Sequence, residues 1–347
     1  MRLGILGGAG FIGTNFVRYM VQHHPDVPIS VYDAFTYAGH KESILLATQN
    51  TGISITTGRI EDREKLEDFI AENEITHIIN FAACSHVDRS IAGDRNEFVE
   101  TNVKGVLNIL ELVNKHNLQK YVQVSTDEVY GHLASPYDMS TDMGPEDYEE
   151  ISNNKFTTSS PYDPRNVYAA TKAAGDMLCK AYSNTWGTPV IVTHCTNNYG
   201  PFQHPEKMIP QWITKAQQGK NLPVYGDGMY VRDWIHVDDH CRGLWLALEK
   251  GAPGEEYLFG ADNELPNLQI AGMINTMFER PYDAYTLVPD RPGHDRRYAI
   301  DYSETTKKLG WEPKYGRYEF KQKLKEVVEW YQLNKGWIQH VQEKNKA

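Results

Sequence analysis

The sequence predicts an α/β protein in which a doubly wound parallel sheet is followed by a smaller α/β domain. Two patterns support this fold class. In the first half of the chain, short apolar runs typical of buried strands alternate with longer segments of helical periodicity. A glycine-rich loop at residues 7–13 joins the first of these runs to the first helical segment. Together the patterns predict repeated strand–helix–strand units.

The predicted elements follow one another closely through the first part of the chain. Strands are predicted at residues 2–6, 29–32, 77–81, 121–125 and 190–193. Helices are predicted at residues 11–23, 64–73, 97–116 and 167–186. Ligands bind beyond the carboxyl ends of the strands in such sheets, so polar motifs that follow a strand are candidates for the functional site.

The pattern changes after residue 196, where loops rich in proline and glycine separate shorter elements. We therefore predict a nucleotide-binding domain at residues 1–196 and a mainly substrate-binding domain at residues 197–347, and leave open a return of the later chain to the first sheet. Residues 141–158 are predicted to form an exposed loop, either an active-site flap or a solvated segment without a role. Near the C-terminus, one apolar helical face is predicted from Phe320, Leu324, Val327, Val328 and Tyr331.

The composition is that of a globular protein with a core, since 40% of the 347 residues are hydrophobic and 23% are charged. The net charge of −11 argues against nucleic-acid binding, which requires a basic surface. No apolar stretch approaches the roughly 20 residues that span a membrane, and no signal-peptide pattern is visible. Four irregularly spaced cysteines predict neither a zinc site nor a disulfide framework. A reducing, cytoplasmic location is therefore expected.

The loop at residues 7–13 has the composition of a Rossmann-type dinucleotide-binding turn. Its glycines allow a tight turn and a close approach of the backbone to a diphosphate, and the following helix offers N–H donors to that anion. Asp33 follows the second predicted strand, 20 residues after Gly13. A carboxylate there accepts hydrogen bonds from the ribose hydroxyls of NAD and repels the extra phosphate of NADP. The sequence therefore predicts NAD as the cofactor.

Two further motifs carry the predicted chemistry. Asp127 and Glu128 closely follow a predicted strand, and two such carboxyl groups can serve as acid and base if their pKa values differ. Tyr168 and Lys172 are four residues apart in a predicted helix, so they share one face. A lysine ammonium near a phenol lowers the pKa of the phenol, which can then accept a proton. The two pairs together predict oxidation of an alcohol followed by loss of water.

With these motifs the chain resembles the extended short-chain dehydrogenase/reductase family, and within it the nucleoside-diphosphate-sugar 4,6-dehydratases. The resemblance covers almost the whole chain. The chain departs from the family pattern at Cys84, where glutamate is usual, at Arg59, where Gly-Asp-Ile is usual, and in the longer segment 141–158. The ordered matches are residues 36–39, 85–91, 125–131, 197–201, 205–210, 232–234 and 290–298.

The resemblance implies NAD-dependent dehydration of a nucleoside-diphosphate glucose, with dTDP-glucose favoured, to a 4-keto-6-deoxy sugar nucleotide. Tyr168 would take the proton of the sugar C4 hydroxyl, and Thr126 would bind that oxygen. Glu128 would then remove the C5 proton, which the new 4-keto group makes acidic. Asp127, held in its acid form, would protonate the departing C6 hydroxyl. Hydride returned to C6 would complete the turnover.

The resemblance also implies two binding sites. Arg232 is expected to hold the substrate diphosphate, and Tyr225 to stack on its base. The expected cofactor contacts are Gly7, Gly10, Phe11, Ile12, Gly13, Asp33, Thr36, Ile60, Ala82, Ala83, Ser85, Asn102, Tyr168 and Lys172. The expected substrate contacts are His86, Asn197, Asn198, Lys207, Met208, Pro223, Tyr225, Arg232, Asn267, Arg291, His294 and Tyr298.

Three other functional interpretations stay open at this point. One is a dehydratase acting on a UDP-sugar such as UDP-glucose or on an N-acetylated sugar, and another is a sugar-nucleotide 4-epimerase or decarboxylase on the same scaffold. An epimerase would use Tyr168 and Lys172 but would not explain an acid–base pair after Thr126. The third, of a different class, is a non-catalytic NAD-binding protein that acts through a partner. The presence of both Tyr168 and Lys172 argues against it.

The sequence patterns for metal binding and for oligomer formation are weaker than those for the active site. His236 and His240 have a spacing that places both on one helical face, but the chemistry needs no metal, and none is predicted. The helices at 97–116 and 167–186 resemble those that pair in family dimers, so a homodimer is expected. Alternatively, their apolar positions are buried only against the sheet of their own chain: Val103, Val106, Ile109 and Leu110.

Overall fold

The structure, a computed structural model, describes residues 1–138 and 145–344. Thirteen strands are found in these residues. In chain order they are β1 (Leu3–Leu6), β2 (Ile29–Asp33), β3 (Ser54–Thr57), β4 (His77–Asn80), β5 (Lys120–Thr126), β6 (Val190–Cys195), β7 (Asn197–Tyr199), β8 (Leu222–Tyr225), β9 (Val231–His236), β10 (Glu256–Phe259), β11 (Glu264–Pro266), β12 (Tyr285–Val288) and β13 (Arg297–Tyr298).

The α-helices of the described residues are listed here in the same way. They are α1 (Phe11–His23), α2 (Lys41–Ala47), α3 (Arg63–Glu72), α4 (Val87–Ala92), α5 (Arg95–Val99), α6 (Val106–Lys115), α7 (Pro145–Asn153), α8 (Val167–Trp186), α9 (Met208–Gln217), α10 (Val237–Lys250), α11 (Asn267–Met277), α12 (Ser303–Leu309), α13 (Phe320–Leu333) and α14 (Lys335–Lys344). A π-helical segment, Glu100–Gly105, joins α5 to α6, and short 3₁₀ helices occupy Asp127–Tyr130 and Pro136–Asp138.

Seven strands form one parallel sheet in the order β10-β6-β5-β4-β1-β2-β3. This confirms the predicted fold class. Strands β1, β4 and β6 are buried along their whole length, as expected for a parallel sheet covered on both faces. The strand order reverses between β1 and β4, and the carboxyl ends on either side of that point are where a ligand crevice forms.

The last strand of this sheet comes from the later part of the chain. Strand β10 pairs with β6, and α10 packs its apolar face into the same core as α1. The chain therefore returns to the first sheet after residue 197. The division at residues 196 and 197 itself stays a prediction.

The rest of the later chain forms two small sheets covered by helices. Strand β9 pairs with β7, β11 and β13, and β8 pairs with β12. Helices α9, α11 and α13 share a core with these strands. All five residues of the apolar face predicted near the C-terminus are buried in α13, which confirms that face. Among the described residues, no helix is long and apolar enough to cross a membrane.

Several predicted elements match closely, and others were missed. The predicted helices 11–23 and 167–186 coincide with α1 and α8. The predicted helix 97–116 is helical throughout its predicted length except at its last residue, but it is divided by the π-helical segment. Strand β3 and helix α2 had no clear pattern because each is short and partly exposed.

The predicted exposed loop at residues 141–158 is wrong over part of its length. Residues 139–144 lie outside the described part of the chain, but 145–153 form α7. Pro145 begins this helix, a position that suits proline because its missing N–H is not needed there. The carbonyls at the other end accept hydrogen bonds from the Arg297 guanidinium, which is 0% exposed. The stabilising partner lies about 145 positions away in the sequence, so no local pattern could indicate it.

Candidate active site

The polar motif after β5 is held in a tight turn at the carboxyl end of the sheet. Thr126 ends the strand, and its Oγ1 accepts a hydrogen bond from the backbone N–H of Glu128 at 3.3 Å. This bond caps the short 3₁₀ helix that carries both carboxylates. Asp127 is 2% exposed, and its Oδ2 has no hydrogen-bond partner among the described residues. A buried oxygen without a hydrogen-bond partner is energetically unfavourable, which indicates that a ligand contacts this carboxyl group.

Helix α8 brings the Tyr168–Lys172 pair to the same place. The Asn166 side chain caps the helix by accepting a hydrogen bond from the N–H of Ala169 at 2.8 Å. One helical turn then separates Tyr168 from Lys172. The Lys172 ammonium is buried and donates to the carbonyl oxygen of Val124 in β5 at 2.7 Å. This bond joins α8 to β5 two residues before Thr126.

Burial shifts the pKa values of all four groups. It raises the pKa of Asp127 well above its usual range, and the neighbouring Glu128 charge adds to the increase. Burial also raises the pKa of Glu128, but the Arg291 and Arg232 guanidinium groups oppose that change. Both pKa values are therefore raised, more strongly at Asp127, which favours the acid form of Asp127.

The Tyr168 pKa is raised, whereas the sequence predicts that the nearby Lys172 ammonium lowers it. Burial and the charge of Glu128 raise the pKa of Tyr168, while a hydrogen bond with Thr126 opposes the increase. Burial lowers the pKa of Lys172, and the carboxylate of Asp176 partly restores it. The ammonium is directed at the Val124 carbonyl, so its charge does not dominate the surroundings of the phenol.

A buried polar network behind Lys172 was missed by the sequence reasoning. Asp176, one turn further along α8, lies 3.3 Å from Nε2 of His194, and both side chains are 0% exposed. The two ring nitrogens of His194 also contact the hydroxyls of Tyr130 and Tyr162, at 3.2 and 3.0 Å. The only available signal was the helical spacing of Lys172 and Asp176, which is too common to be informative alone.

Three adjoining cavities surround these groups. The central cavity, of about 280 Å³, is lined by both chemical motifs and the glycine loop. The second cavity, of about 90 Å³, lies by the end of β2, and the third, of about 220 Å³, lies by β9. The central and second cavities share Gly7, Gly10 and Ala83, and the central and third share Ser85, Glu128 and Lys207. Together they form one groove.

The cavities contain nearly all the binding residues predicted from the sequence. Predicted residues of the central cavity are Gly7, Gly10, Phe11, Ile12, Gly13, Ala83, Ser85, Thr126, Asp127, Glu128, Tyr168, Lys172, Asn197, Asn198 and Lys207. The second cavity adds Asp33, Thr36, Ile60 and Ala82. The third adds His86, Met208, Pro223, Tyr225, Arg232, Asn267, Arg291 and His294.

Asn102 and Tyr298 do not line any of these three cavities. Asn102 accepts a hydrogen bond from the N–H of Cys84 and donates to its carbonyl, so it fixes the loop after β4. The Tyr298 ring lies 4.3 Å beneath the guanidinium of Arg232. Asn102 therefore positions the loop that contains Cys84, and Tyr298 positions the Arg232 guanidinium.

The glycine loop is shaped for a close backbone approach. Gly7 has a φ of +73°, and a Cβ there would lie 2.4 Å from the backbone N of Ala82. A Cβ at Gly13 would lie 2.2 Å from the carbonyl oxygen of Gly7. Only glycine therefore allows the loop, β4 and α1 to pack this closely. The result is a helix N-terminus that opens directly into the groove.

Asp33 and two of the three departures from the family pattern lie in the second cavity. The Asp33 carboxylate accepts hydrogen bonds from the N–H groups of Ala9 and Phe35, at 2.8 and 2.7 Å. Cys84 and Arg59 line the same cavity. Arg59 pairs with Glu61 at 3.0 Å, which holds its guanidinium at the cavity edge. This edge is where a dinucleotide's adenosine end would lie in a sheet of this order.

Three cations, Arg232, Arg291 and Lys207, line the third cavity together with the carboxylates of Asp88, Glu128 and Glu206. Arg232 is 5% exposed and donates to the carbonyl oxygen of Asp295 at 2.8 Å. Arg291 pairs with Asp88 at 3.5 Å, and Lys207 donates to the Ser85 carbonyl at 3.3 Å. Three cations so close together form a site for a polyanion such as a diphosphate.

The histidine pair considered for a metal is used in hydrogen bonds instead. His240 Nδ1 lies 3.0 Å from Oδ1 of Asn198, and His236 Nδ1 accepts from the N–H of Asp238 at 3.2 Å. His240 is 0% exposed, so it orients Asn198 from the core. Asn198 in turn lines the central cavity.

Comparisons with known proteins agree on one family. The family model described as GDP-mannose 4,6 dehydratase matches residues 5–327. A dTDP-glucose 4,6-dehydratase from Mycobacterium tuberculosis is 40% identical over 347 residues, which cover 100% of this chain and 98% of that protein.

Solved structures give the same result. A dTDP-glucose 4,6-dehydratase from Bacillus anthracis in complex with NAD is 40% identical, with a TM-score of 0.85 over 98% of this chain and 99% of that one. One from Streptomyces venezuelae with NAD and TYD bound is 39% identical, with a TM-score of 0.88 over 98% of this chain and 100% of that one.

Proposed function

This chain belongs to the GDP-mannose 4,6 dehydratase family, and we propose that it is a hydro-lyase that dehydrates dTDP-glucose with NAD as its cofactor. The product is the 4-keto-6-deoxy sugar nucleotide. One observation carries the proposal: two adjacent buried carboxyl groups, of which Asp127 has the more strongly raised pKa, line the same cavity as Tyr168 and Lys172. A nucleotide-sugar epimerase needs no such second pair.

The shape of the groove fits NAD. Gly7 and Gly13 leave a space at the α1 N-terminus that a Cβ would fill, and the Asp33 carboxylate lies at the end of β2. These residues would hold the diphosphate and the adenosine ribose, and Tyr168 and Lys172 would hold the ribose at the reactive end. When bound, NAD supplies the acceptor and later the donor of hydride.

The chain's own residues divide the proton transfers among them. Tyr168, as the phenolate, would accept the proton of the C4 hydroxyl, whose oxygen Thr126 binds; the positive charge of a bound nicotinamide ring, added to that of Lys172, would favour the phenolate. Glu128 takes the C5 proton because the nearby arginines stabilise its charged form. Asp127 gives its proton to the C6 hydroxyl, so the C6–O bond breaks and water leaves. Glu128 would return its proton to C5 when hydride reaches C6, so adjacent residues act as base and acid on adjacent sugar carbons.

The third cavity is the proposed site for the nucleoside diphosphate. Arg232, Arg291 and Lys207 offer three positive charges to the diphosphate. Tyr225 is 41% exposed at the same cavity and offers a flat face for the base. The relatives' names support dTDP-glucose as the sugar nucleotide.

Mass spectrometry of the reaction products tests the proposal. The purified protein would be incubated with NAD and either dTDP-glucose or UDP-glucose. We expect loss of one water from the dTDP sugar, abolished in Tyr168→Phe and Glu128→Gln. The matched control is Tyr318→Phe, since Tyr318 is 94% exposed. Turnover of the UDP sugar alone would reject the base preference, and an isomer of unchanged mass would indicate an epimerase. Bound NAD without turnover would favour the non-catalytic interpretation.

We also propose that the protein is a homodimer that works in the cytoplasm. Val106, Ile109 and Leu110 are buried against their own sheet, as the alternative interpretation held. Other apolar side chains of the same helices stay exposed: Val99, Leu107, Met177 and Trp186. Exposed apolar side chains on these helices support a helix–helix interface. All four cysteines are free, which supports a reducing compartment. Light scattering of the wild type and of Leu107→Glu would test the dimer.

A further inference from the structure

Three potential metal ligands lie together on the far side of the loop that borders the groove. His40 precedes α2, Glu42 lies in its first turn, and His340 lies in α14 near the end of the described chain. Their ligand atoms all lie within 4.8 Å of one another. The closest pair, His340 Nε2 and Glu42 Oε2, is separated by 3.2 Å. The group joins residues about 300 positions apart in the sequence.

His40 is the unusual member of this group. Its side chain is 2% exposed; the backbone carbonyl of Tyr37 faces one ring nitrogen, and the other has no hydrogen-bond partner among the described residues. Buried polar groups in native proteins almost always have a partner, so the unpaired ring nitrogen requires an explanation. A ligand bound on the side of Glu42 and His340 provides that partner.

We propose that His40, Glu42 and His340 form a binding site for one divalent transition-metal ion of the zinc class. Two imidazoles and a carboxylate are ligands that suit Zn²⁺, Co²⁺ and Ni²⁺. Ligand atoms around a tetrahedral zinc lie about 3.3–3.5 Å apart, as follows from metal–ligand bonds of about 2.0–2.2 Å. The His340–Glu42 pair, at 3.2 Å, is already close to this spacing, and water would take the fourth position.

The two outer ligands can complete the geometry. The side chains of His340 and Glu42 are 46% and 54% exposed, so both can turn towards His40 without disturbing the core. Lys344 opposes the site electrostatically, but its ammonium is already held by the carbonyls of Phe35 and Gly39, at 3.1 and 2.8 Å. The Glu42 carboxylate offsets one unit of the added charge.

A metal ion bound at this site would connect α14 to the cofactor side of the groove. Helix α14 already contacts this region through Trp337, whose Nε1 donates to Ser43 Oγ at 2.9 Å. The loop before His40 contributes Thr36, Tyr37 and Ala38 to the first two cavities. The ion would therefore link α14, α2 and this loop, and would raise the temperature at which the protein unfolds.

Titration of the metal-free full-length protein with Co²⁺ and Zn²⁺ tests the site. We expect one Co²⁺ per chain with visible absorption typical of a nitrogen- and oxygen-bound ion, and Zn²⁺ that displaces it. His340→Ala and Glu42→Gln should each weaken binding at least about tenfold. The matched control is His116→Ala, because His116 forms a similar surface pair with Glu67 at 3.0 Å but belongs to no described group of three ligands.

Two outcomes would overturn the site. One is binding that His116→Ala weakens as much as His340→Ala does. The other is the absence of a stoichiometric Co²⁺ signal in the wild type. Thermal unfolding gives a second reading, since Zn²⁺ should stabilise the wild type and His116→Ala but not His340→Ala. An equal shift in the wild type and both variants would indicate general surface binding and reject the proposal.

Discussion

The cofactor side and the substrate side of the groove are built in different ways. On the cofactor side, the backbone forms most of the site. Glycines at the α1 N-terminus leave space for the cofactor, and two backbone N–H groups donate hydrogen bonds to Asp33. On the substrate side, charged side chains from distant segments converge, such as Arg232 on β9 and Arg291 after β12. The first side depends on shape and the second on charge. Substitutions on the cofactor side should therefore act mainly by steric crowding, and those on the substrate side mainly by loss of charge or hydrogen bonds.

The largest effect is expected where the two sides meet. Asp127→Asn removes the proposed acid for the C6 hydroxyl, and we expect kcat to fall by about 10²- to 10⁴-fold. Steady-state kinetics with dTDP-glucose would measure this. Retention of more than a tenth of the activity would exclude Asp127 as the acid. NAD binding should be unchanged, because the cofactor side keeps its shape.

The same variant makes a prediction about stability. Because the folded-state pKa of Asp127 is raised, this group favours the folded state below its unfolded pKa of about 3.9 and loses that contribution as pH rises. Asparagine has no such dependence. The wild type should therefore lose stability relative to Asp127→Asn as pH increases from about 4. Urea unfolding at several pH values would show the trend, and a difference independent of pH would contradict it.

On the cofactor side, the expected failure is steric. A Cβ at Gly13 would lie 2.2 Å from a backbone oxygen, so Gly13→Ala should shift α1 and lower the free energy of unfolding by about 1–3 kcal/mol. The nearest atom to a Cβ at Gly10 is 3.5 Å away, so Gly10→Ala should cost less than about 1 kcal/mol. Urea unfolding without NAD compares them. Equal losses would show that backbone crowding is not what requires Gly13.

On the substrate side, the expected failure is electrostatic and local. Arg232→Lys keeps the charge but loses the planar guanidinium, so the KM for dTDP-glucose should rise by about 10- to 100-fold. NAD affinity should change by less than about twofold. Kinetics and calorimetry would measure the two values separately. A parallel loss of NAD binding would mean that the two sides are not independent.

The smallest effect is expected at the edge of the second cavity. Arg59 is half exposed, and it pairs with Glu61 and Glu97 at 3.0 and 3.7 Å. Exposed pairs of this kind contribute about 0–1 kcal/mol, so Arg59→Ala should change NAD affinity by no more than about fivefold. Calorimetry would measure it. A larger loss would show that Arg59 contacts the cofactor directly.

The sequence was most informative where a signal is local. The boundaries of α1 and α8 and the glycine loop could be predicted because each depends on residues a few positions apart. Asp127 and Glu128 could be identified because they follow a strand. The pairing of Arg297 with α7, the Asp176–His194 contact and the cluster around His40 could not be predicted. Each joins residues that only the completed fold brings together.

The position of β10 has a consequence for how the protein is made. The edge of β6 stays unpaired until residues 256–259 have been synthesised, about 60 residues after β6 itself. At about 5–20 residues per second, the ribosome needs about 3–12 s to deliver them. Throughout that interval the growing chain carries an open sheet edge, which is prone to pairing with other chains. Nascent chains that stop before residue 256 should therefore depend on chaperones more than those that extend beyond it.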